Sequence, residues 1–68
     1  MEKKMTLYLR VEIDPGTSET EAAHDLADLA ERIRTTVEAS HNGVVMRARP
    51  FQLASDVLAA FKREQLSA

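Results

Sequence analysis

Residues Met5 to Ile13 read Met-Thr-Leu-Tyr-Leu-Arg-Val-Glu-Ile. Met5, Leu7, Leu9, Val11 and Ile13 fall on one side of an extended chain, with Thr6, Tyr8, Arg10 and Glu12 on the other. That alternation is the signature of a strand with one buried face. Asp14-Pro15-Gly16 follows, and it predicts a turn, because proline has no donor for a strand ladder and glycine accepts a positive φ.

Beyond the turn the period changes from two to three and four. Ser18 and Glu21 have the spacing of a capping box, which predicts a helix start. Ala22, Leu26, Leu29, Ala30, Ile33 and Val37 then form one apolar stripe, and Glu21, His24, Asp25, Asp28, Glu31, Arg32 and Thr35 make up the opposite face. This pattern predicts a helix from about Glu19 to Ser40, stopped by Asn42-Gly43 in the left-handed conformation that commonly ends helices. Val44, Met46 and Ala48 alternate with Val45, Arg47 and Arg49 in a second strand, which Pro50 terminates. Ala54, Val57, Leu58 and Phe61 share a face of a second helix, with Asp56 at its positive end and Lys62 and Arg63 near its negative one.

The expected order is strand, helix, strand, helix, in one domain spanning residues 1–68 with a charged tail at 1–4 that frays. The expected fold class is α+β, a two-layer subunit with a small sheet and two helices on one face. A long first helix would bring the second strand in parallel to the first through a right-handed crossover. Two parallel strands make a poor sheet by themselves, so the sheet is expected to continue into a homodimer, with the first strand as the contact.

Size supports that expectation. A chain of 68 residues buries only about 60% of its unfolded surface. Its aromatic residues are Tyr8, Phe51 and Phe61, and many of its other apolar residues are alanines. Without cysteine it has neither a disulfide nor a thiolate metal site to staple so thin a core. The composition fits a reducing cytoplasm, and no apolar run reaches membrane-spanning length. The net charge of −2 is unevenly spread: Thr17 to Asn42 holds two basic and six acidic residues, Gly43 to Ala68 four basic and two acidic.

Two surfaces stand out as binding candidates. The outer sheet face gathers Tyr8, Arg10, Arg47 and Arg49, with Lys3 and Lys4 near one end. An aromatic among arginines on an open sheet is one way proteins stack bases and hold phosphates. Set against this are the single tyrosine, Glu12 on the same face and the acidic overall charge. The second surface is the acidic helix face of Glu21, Asp25, Asp28 and Glu31, suited to a basic partner in the manner of an inhibitor or accessory subunit. Glu21 and His24 also have Glu-x-x-His spacing, but metal centres built this way need four converging helices. The bland reading there is a solvated face whose acids complement the helix dipole, and His41 is likewise expected at the surface.

Ser, His and Asp occur without a nucleophile elbow, phosphate loop or metal-ligand spacing around them. The sequence therefore leads to a small homodimeric interaction or regulatory protein that binds another macromolecule, non-catalytic and without cofactor or metal. The alternatives are a nucleic-acid-binding module using the arginine face and an inhibitor or accessory subunit docking through the acidic helix.

Overall fold

The computed structural model describes residues 8–67. In chain order the elements are β1 (Leu9–Arg10), α1 (Glu19–Ile33), β2 (Val37–His41), β3 (Val44–Ala48) and α2 (Ala54–Ser67). The fold is α+β. The expected strand residues Met5, Thr6 and Leu7, the cations Lys3 and Lys4 and the tail 1–4 lie outside the described residues.

The three strands form one sheet in the order β1-β2-β3. β1 runs parallel to β2, with Leu9 beside Val37 and Arg10 beside Glu38. β2 and β3 are antiparallel, and Glu38 lies beside Arg47. Among the described residues of this segment Leu9–Arg10 is laddered strand, and the Val11 amide bonds to Glu38 O at 3.0 Å. Half-buried Val11 and Ile13 continue to alternate with exposed Glu12 and Asp14. The expected turn closes the segment, with Thr17 N–H donating to Asp14 O at 3.2 Å and Gly16 at φ +90°.

Ser18 caps α1 as expected, its Oγ accepting the Glu21 N–H at 3.1 Å. The other end corrects the sequence reading. α1 stops at Ile33, and Arg34 takes the left-handed conformation at φ 56°, ψ 41° with its N–H on Ala30 O. Thr35, Thr36 and Val37 are β-branched, so they lose rotamer freedom in a helix and fit a pleated strand. Val37 satisfied both periods, four residues after Ile33 in the helical stripe and two before Ala39 in a strand.

Asn42-Gly43 is accordingly a hairpin and not a helix stop. The two residues have φ 52° and 80° between the paired His41 and Val44, as a two-residue type I′ turn requires. The element order therefore gains a strand. β1's parallel neighbour is β2, reached through α1, while the Val44–Ala48 strand returns antiparallel on the far side.

Both helices pack on one face of the sheet. The buried core joins Val37, Ala39, Met46 and Ala48 of the sheet to Leu26 and four alanines of α1 and to Val57 and Phe61 of α2. Leu29, Ala54 and Leu58 pack partly buried against it. Ile33, expected in the core, is 41% exposed because it occupies the last turn of a helix that ends early.

Candidate interaction surface

The strand register builds the outer face. Arg10, Glu38 and Arg47 occupy one lateral row across β1, β2 and β3. Glu38 Oε1 accepts from Arg10 Nη2 at 3.3 Å, and its Oε2 accepts from Arg47 Nε at 3.2 Å and Nη2 at 3.0 Å. The Arg47 guanidinium also lies 4.6 Å from the Tyr8 ring centroid, within the range of a cation–π contact. The Glu38 side chain is 13% exposed. Donation from Arg47 holds its carboxyl below the usual glutamate range against the opposing pull of partial desolvation, and the charges of Arg47 and Arg10 add to the lowering.

Tyr8, Arg10 and Arg47 are thus brought together as the alternation predicted. Reading residue 38 as helical hid the carboxylate between the two arginines, which leaves the row with one net positive charge. The signal for it was present: an Asn42-Gly43 hairpin sets residue 38 opposite residue 47. Arg49 lies further along, its backbone N–H donating to Gln52 Oε1 at 2.9 Å. Arg47, Arg49 and Arg63 line a groove of about 330 Å³ with Val45, Phe61 and Glu64, between β3 and α2.

The acidic row of α1 is exposed along its length at Glu21, Asp25, Asp28 and Glu31. Two of its members already have local partners: the Ser18 hydroxyl donates to Glu21 Oε1 at 3.4 Å, and Arg32 pairs with Asp28 at 2.6 Å. Among the described residues, no group of three or more metal-ligating side chains is gathered at one place. No helix among them is long and apolar enough to cross a membrane.

His41 departs from its expected surface position. It is half-buried in β2, where its Nε2–H donates to Thr17 O at 3.0 Å while Nδ1 meets no hydrogen-bond partner among the described residues. Sequence reasoning also passed over the corner between β3 and α2, where Phe51 and Leu53 are each 67% exposed. Phe51 adopts φ +66°. Leu53, Ala54 and Leu58 of the α2 side and Ala23 of α1 line a largely apolar groove of about 380 Å³.

The chain matches no family model, no curated protein and no solved structure.

Proposed function

We propose that the chain is a small homodimeric interaction or regulatory protein of the cytoplasm that acts by binding another protein and has no catalysis of its own. The observation that carries this reading is Phe51. A left-handed backbone costs a non-glycine residue about 1–2 kcal/mol, and here the strained residue holds an aromatic ring out to water beside exposed Leu53. The positive φ belongs to the Arg49–Gln52 turn, in which the Gln52 N–H donates to Arg49 O at 3.1 Å with Pro50 and Phe51 as its central residues. What the turn leaves in water is a large apolar side chain two residues before Leu53, which lines an apolar groove. Exposed apolar surface of this kind marks interaction sites.

The test compares wild-type protein with Phe51→Gly and Leu53→Ser as immobilised baits in an extract of the native host. A specific protein retained by the wild type and lost from both variants, with all three folded, is the expected result. An unchanged retained set overturns the reading.

The groove that adds Arg63 to Arg47 and Arg49 favours nucleic-acid binding as a second reading. Titrating single-stranded oligonucleotides at increasing salt decides it. A binder neutralising several phosphates loses affinity steeply as salt rises, while no affinity at low salt removes this alternative.

A further inference from the structure

The two outer edges of the sheet differ in what they offer a second strand. On β3 the pairing of His41 with Val44 across a two-residue turn directs the amides of Val45, Arg47 and Arg49 outward. Gln52 already takes the Arg49 amide, Pro50 follows at once, and Arg47 and Arg49 charge that edge with one sign. Such an edge discourages further pairing.

β1 has none of these defences. Leu9 and Val11 direct their amides inward to Thr36 O and Glu38 O at 2.9 and 3.0 Å, so those of Tyr8, Arg10 and Glu12 point outward. Leu9 is 43% exposed although its lateral neighbour Val37 is fully buried. Among the described residues, cover for Leu9 is wanting on the outer side of β1.

We propose that this cover is a second copy of the chain, paired β1 to β1, antiparallel, about a two-fold axis at Val11. This rests on the homodimer reading above and specifies its register. A symmetric antiparallel pair must set outward amides against outward amides, so the axis falls on one residue. An axis at Arg10 opposes Arg10 to itself, one at Glu12 opposes Glu12 to itself, and one at Ile13 sets Glu12 against Asp14. An axis at Leu9 gives neither Arg10 nor Glu12 an opposite charge among the described residues.

At Val11 both Arg10 and Glu12 meet an opposite charge, and Tyr8 falls opposite the partner's Asp14. Arg10 faces the partner's Glu12 and Glu12 faces the partner's Arg10 on the outer face. On the helix face Val11 meets the partner's Val11, and Leu9 gains the partner's Ile13. The lateral row then reads Arg47, Glu38, Arg10 and the partner's Glu12, with charges alternating across four strands. The side of Arg10 turned away from Glu38 acquires an anion beyond the one that the described residues of its own subunit supply.

The absence of native cysteine makes a clean test. Facing residues at a non-hydrogen-bonded site have Cα atoms about 4.5 Å apart, inside the roughly 4.4–6.8 Å window for a disulfide. Val11→Cys is therefore expected to cross-link to dimer on mild oxidation, and Val45→Cys on the β3 edge is not. In the unmodified protein, the Arg10 and Glu12 amides are expected to gain exchange protection as concentration rises. Glu12→Arg is expected to weaken association roughly tenfold by placing like charges opposite each other twice.

A compact monomer in sedimentation equilibrium at high micromolar concentration overturns both the dimer and its register. A dimer in which Arg10 and Glu12 stay unprotected, or in which Val45→Cys cross-links and Val11→Cys does not, overturns the register and leaves the homodimer reading standing.

Discussion

The rings of His41 and Phe61 lie 5.7 Å apart at 87° to one another, joining the end of β2 to the buried face of α2 in an edge-on contact. His41 also ties that corner to the loop before α1 through Thr17. The aromatic pair contributes about 0.5–1.5 kcal/mol beyond burial, and the hydrogen bond about the same. Replacing His41 with Ala is expected to cost about 1–3 kcal/mol, read from urea denaturation at fixed protein concentration. A loss under about 0.5 kcal/mol would show that surrounding groups replace both contacts.

The two ends of the α1 stripe should respond differently to truncation. Leu26 is buried between helix and sheet, whereas Ile33 is half-exposed in the last turn. Leu26→Ala is expected to destabilise by about 2–5 kcal/mol and Ile33→Ala by under about 1 kcal/mol. Equal losses at both positions would contradict the early end of α1.

Stability in acid should depend on Glu38. Its pKa is lowered on folding from an ordinary value of 4.5, so the unfolded chain binds the proton more readily. The stabilisation is fully present above about pH 4.5 and is lost as pH falls through the lower folded value. Glu38→Gln should be less stable than wild type at neutral pH, and the difference should shrink in acid. Denaturation midpoints between pH 7 and pH 3 are the measurement, and a gap that stays constant would mean that the carboxylate charge is not what holds the row together.

The contrast between Val37 and Met46 explains how much of this fold was legible. Met46 belongs to an alternating run bounded by Gly43 and Pro50, and only a strand fits it. Val37 fits two periods, and local pattern alone does not separate them. What separates them is the turn: positive φ at both Asn42 and Gly43 suits a hairpin, while a helix stop needs only one such residue. The arginine face was readable because strand alternation fixes which side chains share a face. Its central carboxylate was readable only through the Asn42-Gly43 hairpin, because the role of Glu38 depends on a register that exists only once β2 is recognised. For Phe51 the sequence signal was Pro50, which favours a turn with Phe51 at its third position, while its exposure depends on the path from that turn into α2.

The hairpin itself supplies a test of that distinction. Gly43 at φ +80° has open space around a would-be Cβ, so any penalty of Gly43→Ala is conformational and not steric crowding. The cost is expected near 1 kcal/mol, with the same denaturant slope. A neutral effect would argue against a two-residue turn.

Phe51 reverses the usual expectation that truncating a large apolar residue destabilises a small domain. Its side chain is 67% exposed, so little burial is lost on removal, and its φ of +66° is a conformation glycine adopts without a Cβ penalty. Against the relief stands the greater unfolded-state entropy of glycine, which offsets part of it. Phe51→Gly is therefore expected to leave stability unchanged or raise it by up to about 1 kcal/mol, while removing the aromatic surface on which the proposed partner contact depends. Thermal and urea denaturation beside the binding measurement separate the two effects. A loss above about 1 kcal/mol would place the Phe51 ring among the groups that hold the fold together, and its role would then be packing and not recognition.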